Sequence, residues 1–89
     1  MDKIRLKTHD GSRNYLQRID DSDNYILKTQ FDFIRGGQVA DGREFIDPSG
    51  GLMLVVGDII DGTPYKIEKI SHEKGVGFIL TLKETIVWK

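Results

Sequence analysis

The ten residues YILKTQFDFI, positions 25–34, show the most regular two-residue alternation in this chain. Aromatic, apolar and β-branched side chains occupy every second position: Tyr25, Leu27, Thr29, Phe31 and Phe33. Successive side chains of a β-strand point to opposite faces, so this period predicts a strand with one buried face. The stretch is long enough to bend across two sheets or around a small barrel.

The composition also favours strands over helices. The 89 residues include 11 isoleucines and 5 valines, whereas Ala40 is the only alanine. β-Branched side chains lose χ1 freedom in a helix but suit the pleated surface of a sheet, and alanine is the strongest helix former. The ten glycines are spread along the chain, where they indicate turns rather than a linker.

Short segments with strand character recur along the chain and are separated by turn signals. Besides residues 25–34, we predict strands over residues 3–7, 38–40, 43–46, 52–56, 65–70 and 78–83. The strand over 52–56 is entirely apolar and is expected to be buried on both faces. In the next strand, Ile67 and Ile70 have opposite parity and are expected on opposite faces. Residues 71–77 are expected to form a loop.

Residues 13–19 fit two structures. Tyr15, Leu16 and Ile19 match one face of a short helix, whereas Tyr15, Gln17 and Ile19 match one face of a strand. The Asp-Gly pair just before this segment is a strong hairpin signal, so we favour the strand.

The turn signals complete the prediction of the fold. In VVGDIIDGTPYKIEKI, residues 55–70, Gly57 allows a sharp bend after a buried strand, and Asp61, Gly62 and Pro64 support a tight turn. The pattern resembles strand corners of SH3-like and OB-like barrels, a likeness of fold that carries no functional residues. We predict one domain over residues 1–89, all-β and mainly antiparallel. It would be a meandering sandwich or an SH3/OB-like barrel of about seven short strands, with at most one short helix.

No motif in the sequence predicts a metal or a cofactor. The chain has no cysteine, which excludes disulfides, thiolate zinc sites and a cysteine nucleophile. The acidic cluster of Asp20, Asp21 and Asp23 fails the calcium-loop pattern, because Tyr25 and Ile26 fall where an oxygen ligand and a glycine are required. Two glycines with the spacing of a phosphate-binding loop are followed by aspartate where lysine is needed.

Catalysis has little support in the sequence. Ser71, His72 and Glu73 are adjacent, but neighbours on an extended chain point to opposite faces, whereas a catalytic triad converges through the fold. Asp58 and Asp61 would also face apart on an extended chain. We therefore expect that the protein is not an enzyme. A small-ligand or enzymatic pocket near Asp58, Asp61 and His72 is kept as the second alternative.

A single-stranded nucleic-acid-binding barrel is the first alternative. Lys3, Arg5 and Lys7 share one face of the first predicted strand, and Arg13 and Arg18 lie on the segment expected to pair with it. Small barrels bind single strands with basic grooves and stacking aromatics. However, 13 basic and 14 acidic side chains give a net charge of −1, and a phosphate binder normally has a basic excess. Nucleic acid is therefore disfavoured.

The leading prediction is a non-catalytic module that works through protein–protein contact. Its partners would be another protein and a second copy of the same chain. Ile86 and Trp88 fall on one face of a terminal apolar segment, which would form an edge strand for that partner. The start has no apolar core of signal-peptide length, and the longest apolar run is too short to span a membrane. We expect a cytoplasmic homo-oligomer with no membrane partner.

Overall fold

The computed structural model describes residues 3–6, 14–28, 37–47 and 52–85. In these residues the chain forms eight β-strands and no helix. The strands are β1 (Lys3–Arg5), β2 (Tyr15–Arg18), β3 (Asn24–Lys28), β4 (Gln38–Ala40), β5 (Glu44–Asp47), β6 (Leu52–Val55), β7 (Tyr65–Glu73) and β8 (Gly77–Glu84). All neighbouring strands pair antiparallel, and the Cα radius of gyration is 12.4 Å. The predicted all-β, antiparallel fold is confirmed.

The strands form two sheets. The larger sheet has the order β1-β2-β3-β8-β7, and the smaller sheet has the order β4-β5-β6. Residues 57–60 carry the chain from the smaller sheet to the larger one. There the Gly57 N–H donates to the Ile67 carbonyl at 2.8 Å, and the Ile60 N–H donates to the Tyr65 carbonyl at 2.9 Å. The outer edge of β7 is therefore covered along its first three residues.

Residues of both sheets form one apolar core. The larger sheet supplies Ile4, Leu16, Tyr25, Leu27, Ile67, Ile70, Phe78, Leu80 and Leu82, and the smaller sheet supplies Phe45, Leu52 and Leu54. The rings of Phe45 in β5 and Phe78 in β8 meet edge to face with centroids 4.6 Å apart. Burying an aromatic or aliphatic side chain of this size contributes about 1.5–3 kcal/mol to folding. The contact between these two rings therefore holds the sheets against each other.

Alternation gives the five-stranded sheet two different faces. Residues paired across neighbouring strands share a face. The inner face packs in the core and includes Leu16, Leu27 and Leu80. The outer face consists of the residues that alternate with them. One of its rows crosses all five strands through paired partners: Lys3, Gln17, Ile26, Ile79 and Ser71.

β2 confirms the strand interpretation of residues 13–19 but not its predicted apolar face. The strand faces the core through Leu16, which is 0% exposed, whereas Ile19 is 46% exposed. We predicted the odd-numbered side chains as the apolar face, and this is wrong. Leu16 pairs with Ile4 on one side and Leu27 on the other, and these buried partners fix the parity of the strand.

A bulge in β7 changes which of its side chains face the core. The pairing with β8 shifts between Ile67 and Lys69, so Glu68 has no partner opposite it. An extra residue reverses the parity of the strand beyond it. Ile67 and Ile70 therefore both face the core, with 1% and 2% exposure. The prediction that these two isoleucines lie on opposite faces is wrong.

Two further predictions about strands are corrected. The predicted loop over residues 71–77 is shorter, because β7 continues to Glu73 and only residues 74–76 form the turn before β8. The strand predicted to be buried on both faces is β6, and its Met53 is 64% exposed. β6 lies at the edge of the three-stranded sheet, and its leucines alone face the core.

Glycines before and after β4 meet specific backbone requirements. Asp41 and Gly42 form the predicted turn between β4 and β5, with φ values of 54° and 66°. Positive φ at both central residues is the requirement of a type I′ hairpin turn, and Asp-Gly meets it at low cost. Gly37 has φ +94°, and a Cβ there would lie 2.7 Å from the Phe45 ring. Glycine at this position lets the chain pass directly over the core aromatic.

The structure describes residues 25–28 of the segment 25–34. β3 has Tyr25 and Leu27 buried and Ile26 half-buried on the opposite face, as the alternation predicted. Residues 29–34 and the Asp-Gly pair at 10–11 lie outside the described residues.

Candidate functional site

A cleft of about 330 Å³ lies between β1 and β6. Its walls are Arg5 and Leu6 on one side and residues 52–55 and 58–61 on the other, with Ile67 also in the lining. Among the described residues, β1 pairs only with β2 and β6 only with β5. The cleft therefore separates the free edge of one sheet from the free edge of the other.

The lining of the cleft is mainly apolar, and part of it is open to solvent. Five lining side chains belong to the buried core: Leu6, Leu52, Leu54, Ile60 and Ile67. Met53 and Ile59 also line the cleft, with 64% and 54% of their surface exposed. These are the two most exposed large hydrophobic residues in the described part of the chain. Solvent-exposed apolar side chains grouped at a concave surface are typical of interaction sites.

The edges that flank the cleft provide backbone groups as well as side chains. An edge strand presents a row of unpaired N–H and C=O groups, which an incoming extended segment can pair with. The opposite edge of the larger sheet is β7. There residues 57–60 pair with the first part of the strand, and the bulge at Glu68 interrupts the ladder. Of the larger sheet's two edge strands, β1 borders the cleft and, in the described part of the chain, has no strand on its outer side.

The charges at the cleft are opposed across it. Asp58 and Asp61 are exposed on the wall next to β6, and Arg5 is exposed on the β1 side. His72 does not line the cleft: it lies on β7, with its ring 4.7 Å from that of Phe78. The structure thus brings together two members of the predicted pocket near Asp58, Asp61 and His72, and it leaves the third elsewhere. The described residues that line the cleft include no serine, threonine, lysine or histidine.

The C-terminal residues proposed as a partner contact, Ile86 and Trp88, lie outside the described residues. The residue just before them is fixed. The Thr85 N–H and hydroxyl donate to the Pro64 carbonyl at 2.8 and 2.7 Å. Pro64 is three positions from Asp61 of the cleft wall, so the described chain ends next to the turn that borders the cleft.

The basic residues predicted for nucleic-acid binding do not form one surface. Lys3 and Arg5 are exposed on the outer face, as the alternation predicted, whereas Lys7 and Arg13 lie outside the described residues. Arg18 is paired with Tyr25, a buried residue of the inner face. Its guanidinium lies 5.5 Å from the Tyr25 ring and donates to the hydroxyl at 3.1 Å. Arg18 does not share the outer face with Lys3 and Arg5, because an even-numbered position in β2 faces inward.

Sequence reasoning missed two sets of residues. Met53 falls in the strand that we predicted to be buried on both faces, and no sequence signal shows that it flanks the same cleft as Ile59. Lys28 and Lys69 were not considered as a group with Lys3, although the strand pairing places all three on the outer face. The register of a sheet assembles such groups, and alternation within one strand does not reveal it.

The acidic turn between β2 and β3 has a local structural role. The Ser22 N–H donates to a carboxylate oxygen of Asp20 at 2.7 Å, which is the hydrogen bond of an Asx turn. Hydrogen bonds from Ser22, through its hydroxyl and then its backbone, lower the pKa of Asp20, and Arg18 adds to this effect. Within the described ranges, no three His, Asp or Glu side chains come close enough to hold a metal ion.

Comparisons with known proteins identify no relative of this chain. A scan against protein-family models and searches of curated proteins and of solved structures find no match to this chain. No helix in the described part of the chain has the length and apolar character needed to cross a membrane. The function is therefore inferred from the cleft and the sheet faces.

Proposed function

We propose that this protein is a non-catalytic assembly module that associates with a second copy of itself through the cleft between β1 and β6. One observation carries the proposal: Met53 and Ile59, 64% and 54% exposed, flank an apolar cleft at which the edges of two sheets meet. An extended segment that enters the cleft would cover these side chains and pair with a free strand edge.

The C-terminal segment of a second copy has the chemistry that the cleft requires. Residues 86–89 read Ile-Val-Trp-Lys: three apolar side chains followed by a cation. The apolar side chains suit the lining, and Lys89 is complementary to Asp58 and Asp61 on the wall. Thr85 is hydrogen-bonded beside that wall, so the segment leaves each copy close to its own cleft. Exchange of the segment between two copies would use two equivalent contacts.

The expected affinity is modest. Covering the exposed parts of Met53 and Ile59 contributes about 1–2 kcal/mol each. Association costs at least about 4 kcal/mol in lost translational and rotational freedom, so these two side chains alone do not hold a pair together. Trp88 of the incoming segment supplies the largest remaining apolar surface, and strand pairing supplies orientation. We expect a dimer with a Kd of roughly micromolar order.

Light scattering and sedimentation of the full chain over a range of concentrations test the proposal. We expect the wild-type protein to shift from monomer to dimer, and the variants Met53→Lys and Ile59→Lys to remain monomeric. Val76→Lys is the matched control, because Val76 is an exposed hydrophobic residue (39%) on the β7–β8 turn and does not line the cleft. It should dimerise as the wild type does.

A mixing experiment identifies the occupant of the cleft. Met53→Lys retains an intact terminal segment, and Trp88→Lys retains an intact cleft. Each variant alone should be monomeric, and their mixture should form a heterodimer through the one undamaged contact. A wild-type chain that stays monomeric at every concentration would overturn the proposal. So would a mixture that shows no heterodimer, or a Val76→Lys variant as defective as the cleft variants.

A further inference from the structure

We propose that the outer face of the five-stranded sheet binds single-stranded nucleic acid. This site is separate from the cleft that carries the proposed assembly, apart from Arg5, which belongs to both. The strand pairing collects cations on the outer face from four strands: Lys3 and Arg5 of β1, Lys28 of β3, Lys66 and Lys69 of β7, and Lys83 of β8. Among the described residues, the acidic side chains on the same face are Glu68 and Glu73, both on β7.

The charge distribution differs strongly from the charge of the whole chain. The sequence has a net charge of −1, yet six of the nine basic residues in the described ranges lie on this one face. Nine of the eleven described acidic residues lie elsewhere, in turns, in the three-stranded sheet or at the end of β8. Charges are screened over about 8 Å at physiological salt, and the molecule measures 39 × 27 × 26 Å. The outer face therefore acts as a local cationic surface.

The centre of the outer face is suited to bases rather than to a general polyanion. Between the cations lie uncharged residues: Tyr15, Gln17, Ile26, Asn24, Thr81 and Ile79. Tyr15 is half-buried, and the Lys3 ammonium lies 5.3 Å from its ring centroid. A sheet with an aromatic platform and flanking cations is a recurring surface for single strands, where bases stack and phosphates meet the cations. Crossing five strands spans about 19 Å, at about 4.8 Å per strand gap.

Fluorescence anisotropy with a labelled oligothymidylate of about 15 nucleotides, which is within the site size of single-strand binders, tests the inference. We expect binding by the full chain that weakens steeply between about 50 and about 200 mM salt. The double variant Lys3→Gln/Lys69→Gln removes one cation near each edge of the outer face. It should bind at least about ten-fold more weakly, and its dependence of log K on log salt should be shallower by about 1.4.

Arg43→Gln/Lys74→Gln is the matched control, because it makes the same change in net charge at exposed turn positions, outside the strands of the five-stranded sheet. Its binding should equal that of the wild type. Tyr15→Leu should weaken binding of the single strand about ten-fold and leave its salt dependence unchanged, as expected for lost stacking.

Three results would overturn the inference: no binding at low salt, equal losses in the face and control variants, or equal affinity for a duplex of the same length. Binding to vesicles containing anionic lipid without binding to the oligonucleotide would also overturn it and would assign the cations to a membrane surface. The Met53→Lys variant separates this inference from the proposed assembly, since it should stay monomeric and still bind the oligonucleotide.

Discussion

The inner and outer faces of the five-stranded sheet are built from alternate residues of the same strands, but they differ in nearly every physical respect. The inner face holds Leu16 and Leu80 at 0% exposure and joins the core of the smaller sheet. The outer face carries six cations around a half-buried, uncharged centre. Inner residues are fixed by packing, so they determine the fold. Outer residues are less constrained by packing, so charged side chains can occupy those positions without disrupting the fold.

The largest effect is expected when the parity of one strand is changed. Deleting Thr81 from β8 would turn Leu82 outward relative to Leu80 and bring Lys83 towards the core, and we expect the protein to be unfolded. Deleting Glu68 from β7 removes the bulge residue and leaves Ile67 and Ile70 two positions apart, both still facing the core. This variant should fold and lose about 1 kcal/mol or less.

Amide NMR spectra and urea denaturation of the two deletions provide the measurement. Dispersed amide signals are expected for the Glu68 deletion and collapsed ones for the Thr81 deletion. If the Glu68 deletion also unfolds, then the bulge itself, rather than the inward placement of the two isoleucines, is what β7 requires.

A smaller difference in the free energy of unfolding is expected between alanine variants of neighbouring residues in β8. Leu80→Ala truncates an inner side chain that is 0% exposed, and we expect a loss of about 3 kcal/mol from the lost burial and the cavity left behind. Ile79→Ala truncates the adjacent, half-buried outer side chain and should cost about 1 kcal/mol or less. Chemical denaturation at neutral pH gives both values. Equal losses would show that the outer face is covered as completely as the inner one.

The smallest effect is expected for the outer-face charges. Lys83 lies 3.9 Å from Glu68, and the two side chains are 69% and 46% exposed. A pair exposed to this extent contributes about 0–0.5 kcal/mol. Lys83→Gln and Glu68→Gln should therefore each leave the free energy of unfolding within about 0.5 kcal/mol of wild type. A larger loss in both variants would give these charges a role in folding and weaken the case for a binding surface.

The sequence predicted the inner face better than the outer one for a physical reason. Burial imposes apolar side chains at every second position, so single strands such as β3 and β8 reveal their inner residues directly. The same reasoning gave the wrong inner residues for β2 and β7. In β2 the apolar Tyr15 and Ile19 outweighed Leu16, and in β7 the bulge at Glu68 is invisible to a strict period of two.

The candidate sites were harder to predict, because each depends on residues distant in sequence. The sequence suggested Asp58 and Asp61 as members of a candidate pocket. It did not show that Met53 and Ile59 line the same cleft, because that depends on how the two sheets pack. Lys3 and Arg5 are exposed, as the alternation predicted, whereas the sequence did not show that Arg18 faces inward. Lys69 and Lys3 lie on the same face because of four successive strand pairings. The sequence around either residue does not reveal the register of those pairings.

The bulge in β7 has a consequence for how large an assembly can grow. With residues 57–60 along its first part and an interrupted ladder at Glu68, this edge is a poor template for another strand. Copies that join reciprocally at the opposite side occupy both of their clefts, so neither cleft is left to recruit a third copy. Self-association by this chain should therefore stop at a closed pair with two-fold symmetry, and concentrated solutions should stay clear rather than form fibres.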